Sequence, residues 1–165
     1  MALTQYCELD EVRAALGVNA VELTDAVLNL PIYQIGLVRE LAKISASLPA
    51  AFLAVSAIPE ASRTGVQSAL FDTARMFSVY TCAKQVGASL GSLVPKDVSD
   101  GKATLSRFSD SPYRDTLARV EVILQTSRAD LVDAYAGYAG ANVSVVIPGT
   151  MFKASGRSYD PVTGS

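Results

Sequence analysis

The chain has 165 residues, of which half are hydrophobic and 18% are charged. This length suits one domain whose core needs neither disulfides nor a structural metal, and the many alanines among the apolar residues favour helices. A formal net charge of −2 and a pI near 5.1 exclude nucleic-acid binding through a basic surface, because phosphates are bound by clustered Lys and Arg.

The first half of the chain predicts a series of helices. Residues 8–16 carry apolar side chains at helical spacing, and Gly17 is placed to end that helix in the left-handed conformation. A helical turn follows over residues 25–29, and Pro31 is placed at the first position of a longer helix that runs to about Ser47. The apolar face of that helix consists of Tyr33, Leu37, Leu41, Ile44 and Leu48.

A long helix is predicted over residues 62–90, with Ser62 as its N-cap. A second apolar stripe lies opposite its core face, on the side where the surface helix of a monomer is polar. This helix is therefore either central in its own domain, with the stripe against residues 50–58, or in contact with another chain. Residues 50–58 are themselves either a short buried helix or an irregular linker. The core face consists of Val66, Ala69, Leu70, Ala74, Met76, Phe77, Tyr80 and Ala83, and the second stripe of Phe71, Val79 and Val86.

A polar break precedes the last helix. Residues 95–101 contain turn residues, including the strong turn pair Asp100-Gly101, and Pro112 then begins the best-patterned helix of the chain. Its apolar face consists of Tyr113, Leu117, Val120, Leu124, Leu131, Tyr135 and Tyr138.

The C-terminal region has a different character. Residues 143–147 are β-branched and predict a short strand whose backbone groups must pair with a strand from elsewhere. Residues 154–165 are rich in Gly, Ser and Pro and predict an extended arm. We therefore expect an all-α protein: a bundle of about four main helices in residues 1–140, then a short β element and a docking arm in residues 141–165.

The residues that most enzymes need are missing or isolated. The chain has no histidine, which removes the commonest general base and metal ligand. Ser99 and Lys102 match the S-x-x-K spacing of serine-lysine hydrolases, but no partner motif follows. Asp130 and Asp133 share one helix flank, where two carboxylates are more often surface charge than a metal site. We therefore expect no catalysis, no metal and no cofactor.

Targeting signals and a cysteine framework are also not evident. Cys7 and Cys82 are too few for a disulfide scaffold, and they indicate a reduced, cytoplasmic origin. The N-terminus does not have the pattern of a signal peptide, and the apolar runs are broken well short of a membrane span. We expect a protein with no membrane contact.

Three stretches carry a resemblance to a known family. They are residues 7–18 (CELDEVRAALGV), the helix start Leu30-Pro31, and residues 98–108 (VSDGKATLSRF) that follow the long alanine-rich helix. In this order, over residues 6–138, they resemble the head-to-tail adaptor, or connector, proteins of tailed double-stranded DNA bacteriophages. The likeness implies a structural virion protein, made in the host bacterial cytoplasm and located at the head-tail interface.

The resemblance also implies partners and interaction residues. Adaptors form a homo-oligomeric ring, typically of about twelve copies, between the portal protein and a tail or nozzle/stopper protein, and viral DNA passes through the lumen without sequence-specific binding. A channel wall with few basic clusters suits sliding DNA. The implied subunit interface is Phe71, Val79 and Val86; the inter-chain strand contains Val143, Val145 and Ile147; and the portal or neighbour docking arm contains Phe152, Arg157 and Tyr159.

The alternative is a protein of another class. A dimeric bacterial helical module with a ligand-binding or regulatory role would place a pocket between the long helix and residues 112–138. Such a pocket needs convergent buried polar groups, and the predicted core contains almost none.

Overall fold

The structure is a computed structural model that describes residues 3–89, 97–99, 104–106 and 114–142. It is predominantly helical, as the composition and spacing predict. Short 3-10 turns occupy Leu3–Gln5 and Glu60–Ser62. The α-helices are α1 (Leu9–Leu16), α2 (Asp25–Leu28), α3 (Pro31–Ile44), α4 (Leu48–Ser56), α5 (Gly65–Gly87) and α6 (Arg114–Asn142).

The N-terminal helices begin and end close to the predicted positions. Gly17 has a φ of 69°, and its backbone N–H donates to the carbonyl of Ala14, which is the left-handed cap expected of glycine. Pro31 opens α3, where its missing N–H is not needed. The helix ends at Ile44, slightly before the predicted Ser47.

Residues 50–58, predicted as either a short buried helix or an irregular linker, belong mostly to a helix, α4. α4 contains Pro49 in its first turn, and its side chains Leu48, Phe52 and Val55 are buried. The ring of Phe52 lies 5.8 Å from that of Tyr6 and is 1% exposed. α4 therefore joins the N-terminal residues to the core.

The long helix starts later than predicted. Thr64, and not Ser62, is its N-cap, because Thr64 and Gln67 form a reciprocal capping box. The Gln67 backbone N–H donates to the Thr64 hydroxyl at 3.4 Å, and the Thr64 N–H donates to the Gln67 side-chain oxygen at 2.9 Å. Ser62 lies in the preceding 3-10 turn.

α5 is the central helix of the fold and contacts α1, α3, α4 and α6. Val79 is 6% exposed and Val86 is fully buried within the same chain. Val86 is covered by its own chain, whereas Val79 still lines a surface groove described below, and the assignment of Val79 and Val86 to a subunit interface stays a prediction. The second stripe exists because the chain packs its own helices on both sides of α5.

α6 runs antiparallel to α5 along the bundle. Gly87 lies against Leu117, whereas Lys84, earlier in α5, binds Glu121, later in α6, at 2.5 Å. The predicted apolar face is confirmed for Val120, Leu124 and Leu131, which are buried. Leu117, Tyr135 and Tyr138 pack partly buried against the core, and Tyr113 lies outside the described residues.

A short antiparallel hairpin precedes α6. Strand β1 (Asp97–Ser99) pairs with β2 (Thr104–Ser106), with Val98 opposite Leu105. The turn pair Asp100-Gly101 falls between them in sequence. The predicted strand at residues 143–147 and the docking arm with Phe152, Arg157 and Tyr159 lie outside the described residues.

Candidate interaction surfaces

An apolar ridge lies on the outer side of α3. Leu30, Ile32 and Ile35 are 46%, 69% and 58% exposed, although Tyr33, Leu37 and Leu41 of the same helix are buried in the core. A shallow groove of about 470 Å³ runs beside Ile35. We call Leu30, Ile32 and Ile35 the α3 ridge. Ile32 and Ile35 are neighbours at i, i+3 on the helix surface, and clustered exposed apolar side chains mark an interaction site more often than isolated ones do.

A second apolar surface is a groove between α1, α5 and α6. It consists of two adjoining cavities of about 430 and 240 Å³, which share Ala14, Ala15 and Tyr80. Met76 in the larger cavity is 48% exposed and Ile123 in the smaller is 36% exposed. We call this surface the α1–α5–α6 groove. Its other lining residues include Val79, Val120, Asp72 and Arg119.

An ion pair closes one end of the α1–α5–α6 groove. The Arg75 guanidinium donates two hydrogen bonds to Glu11, at 2.9 and 3.0 Å. These hydrogen bonds raise the pKa of Arg75, with a smaller contribution from the surrounding negative charge of Glu11 and Glu8. The bidentate contact joins α1 to α5 at the groove.

The ridge and the groove lie on opposite sides of the central helix. Gly36 of α3 approaches the side chain of Gln85, which identifies the face of α5 that is covered by α3. At about 100° per residue, Gln85 lies about half a turn from the groove residue Met76 and about a third of a turn from Val79. One chain therefore presents two different apolar surfaces in opposite directions.

Phe71 is half-buried, and its ring packs against residues of its own chain. Its ring lies 5.7 Å from that of Phe52, and the Arg63 guanidinium lies 3.9 Å above it. Arg63 Nε also donates to the Ile58 carbonyl at 3.0 Å, which holds the guanidinium in place. The assignment of Phe71 to a subunit interface stays a prediction.

The isolated chemical motifs are not assembled into a site by the described part of the chain. Ser99 lies in β1, and Lys102 is outside the described residues. Asp130 and Asp133 are both exposed on α6. Within residues 3–89 and 114–141, no three His, Cys, Asp or Glu side chains are grouped so that they could hold a metal ion.

The two cysteines lie together in the core. Cys7 and Cys82 are both free and buried, 4% and 0% exposed. The hydrogen bond with Cys7, followed by burial, raises the pKa of the Cys82 thiol well above its usual value. Cys82 is therefore a protonated core residue and a poor nucleophile.

Comparisons with known proteins return no relative of the chain. No protein-family model, curated protein or solved structure matches it. The likeness to phage adaptors thus depends on the sequence pattern alone. Among the described helices, none is long and apolar enough to cross a membrane.

Sequence reasoning missed the α3 ridge and most of the α1–α5–α6 groove. The second apolar stripe directed the interface prediction to α5, and of its three residues Val79 lines the groove. Ile32 and Ile35 sit at i, i+3 spacing on α3, and this signal was available in the sequence. The groove was not, since its walls come from three helices that are distant in the chain.

Proposed function

We propose that this protein is a head-to-tail adaptor of a tailed bacteriophage, a structural subunit that forms a ring between the portal and the tail. The observation that supports it best is the pair of different apolar surfaces on opposite sides of one chain. A ring is built by heterologous contacts, in which one surface of each subunit packs on a different surface of the next. The α3 ridge and the α1–α5–α6 groove are suited to such a contact.

In this proposal the chain is a bundle of four main helices, α1, α3, α5 and α6, with a short β element and an extended C-terminal arm. Tyr135 bonds to Ser47 at 2.6 Å and to Ser45 at 3.2 Å, so α6 reaches the corner between α3 and α4. The helix extends about 10 Å further to Asn142. The arm therefore begins at the edge of the bundle, on the side of α3.

The length of the arm suits a contact beyond its own subunit. Residues 143–165, fully extended, would span about 75 Å. That reach is several times the width of a helix, and it is sufficient for a neighbouring subunit or the portal. We propose that residues 143–147 pair as a strand between chains, and that Phe152, Arg157 and Tyr159 dock on a neighbour or the portal.

The charge of the chain suits a channel wall. The net charge is −2, and four of the nine Lys and Arg residues with described side chains bind a carboxylate: Arg13, Lys43, Arg75 and Lys84. A lumen without a strong excess of cations would not retain DNA phosphates, so the DNA passes through without specific binding.

The test uses exposed residues, so that a loss of assembly is not a loss of fold. Ile32→Asp on the ridge and Met76→Asp in the groove should each leave the helical circular dichroism unchanged and prevent assembly on portal-bearing heads. Val21, which is 89% exposed and belongs to neither surface, supplies the matched control Val21→Asp. That control should assemble like the wild type. The mass of the free and head-bound protein is measured by light scattering and sedimentation.

Two results would contradict the proposal that the protein is an adaptor. One is a tight dimer in solution that ignores heads, and the other is normal assembly of both Asp variants. Deletion of residues 154–165 tests the arm separately: the truncated chain should fold but fail to join heads, whereas a regulatory module would lose little.

A further inference from the structure

A third cavity lies on the side of α5 that faces away from the α1–α5–α6 groove. It occupies about 430 Å³ between α3, α5 and α6, a size typical of small-molecule sites. Phe77 and Leu124, both buried, provide apolar surface within it. The remaining lining residues are mostly polar: Glu40, Lys43, Thr81, Lys84, Gln85, Gln125 and Arg128.

Thr81 in this cavity has a hydroxyl that nothing in the described chain satisfies. The residue is 3% exposed, and its Oγ1 is buried without a hydrogen-bond partner among the described residues. Other hydroxyls on α5 do find one: Ser78 donates to the Ala74 carbonyl at 2.7 Å, and Thr73 to that of Ala69 at 2.8 Å. A buried orphan hydroxyl costs stability and therefore needs an explanation.

The charges around the cavity leave one cation free. Lys43 binds Glu40 at 2.6 Å, and Lys84 binds Glu121 at 2.5 Å. Arg128 has no ion pair or hydrogen bond within residues 3–89 and 114–141, and the Gln85 amide likewise has no hydrogen bond there. Arg128, Gln85 and Thr81 thus line one apolar-floored cavity, and none of their side chains has a hydrogen-bond partner within the described residues.

We propose that this cavity binds a small organic anion. Its oxyanion, a carboxylate or a phosphate, accepts hydrogen bonds from Arg128, Thr81 and Gln85, because a guanidinium fork and neutral donors match that geometry. Its apolar part packs on Phe77 and Leu124. The site goes beyond the proposed adaptor role, and it belongs to the single chain, so it does not require the ring.

The test measures binding of three probes to the full chain by isothermal titration calorimetry. The probes are 1-naphthoate, 1-naphthyl phosphate and the uncharged 1-naphthol, and the difference between the first two identifies the preferred oxyanion. We expect one saturable site for at least one of the anions, with 1-naphthol at least about tenfold weaker, which is the size of a lost charged hydrogen bond.

Two variants locate the site. Arg128→Gln should weaken the anion about tenfold or more, and Arg114→Gln, an exposed arginine of the same helix outside the cavity, should bind like the wild type. Thr81→Val keeps the side-chain shape and removes the hydroxyl, so it should raise the melting temperature of the free protein and weaken the anion several-fold.

The proposal is overturned by any of three results: no saturable binding of either anion up to about 5 mM, equal binding of 1-naphthol, or wild-type affinity in Arg128→Gln or Thr81→Val. Arg128 is exposed, so its variant decides the question even if Thr81→Val fails to fold. Because the free chain is titrated without heads, failure of the adaptor proposal leaves the result unaffected.

Discussion

Arg13 links α1 to residues 23–25, and its replacement should show how much the buried guanidinium contributes to the free energy of unfolding. Its side chain is 7% exposed. Nε donates to the Leu23 carbonyl at 2.8 Å, one terminal nitrogen donates to Asp10 at 2.6 Å, and the other to Asp25. The hydrogen bond to Asp25 is the main cause that raises the pKa of Arg13, so the guanidinium stays charged. Arg13→Met keeps the apolar stem and removes all three bonds.

The three bonds are not equal in strength. Asp10 and Asp25 are 90% and 69% exposed, so each ion pair contributes only about 0–1 kcal/mol after solvent screening. The buried bond to the Leu23 carbonyl is worth about 1–2 kcal/mol. We expect Arg13→Met to lower the free energy of unfolding by about 2 kcal/mol, and Arg13→Ala by about 3 kcal/mol, because it also removes the buried stem.

Urea unfolding followed by circular dichroism measures these differences. Asp10→Asn and Asp25→Asn serve as controls and should each cost about 0.5 kcal/mol or less. If either control is as destabilising as Arg13→Met, the exposed ion pairs and not the buried bond dominate, and the reasoning is refuted. Wild-type stability for Arg13→Met would refute it as well.

Two further predictions concern the core and the bundle surface. Phe52→Ala should lower the free energy of unfolding by about 3–5 kcal/mol, because it removes a ring that packs on Tyr6 and Phe71; a loss below about 1 kcal/mol in urea unfolding would be inconsistent with its burial. Hydrogen bonds from Lys84 and then Gln125 lower the pKa of Glu121, so its contribution is present above the ordinary carboxyl pKa of 4.5 and is lost as pH falls through the lowered value. Between about pH 7 and pH 3, the free energy of unfolding should therefore fall by up to about 0.5 kcal/mol more in the wild type than in Glu121→Gln. An equal decrease in both proteins, measured by urea unfolding at the two pH values, would contradict this.

The two proposals use different parts of the chain and can succeed or fail separately. The ridge and groove concern contacts between subunits, and the cavity concerns a small ligand within one subunit. Thr81 lies on the side of α5 that faces away from Met76, and the cavity that it lines is also bounded by α3. If both proposals hold, an anion bound in this cavity would lie against α3, the helix that carries the ridge.

Much of the helical architecture follows from local patterns. The apolar spacing of α3 and α6, the left-handed glycine after α1 and the proline at the start of α3 are interactions between residues close in sequence, so the sequence alone determines them. The capping box at Thr64 and Gln67 is also a local pattern, and it is the N-cap in place of the predicted Ser62. A reciprocal pair three residues apart is a stronger start signal than a lone serine.

The use of each apolar face was decided by the tertiary structure. A helical pattern shows that Val79 and Val86 are apolar and that Ile32 and Ile35 are too, but not which of these sides another helix covers. In this fold α5 is covered on both sides, and the outer side of α3 is left open. The cavity arises in the same way, because Thr81 and Arg128 are brought together only when α6 packs antiparallel on α5. Burial depends on contacts between distant segments, and these are set by the packing of the whole chain.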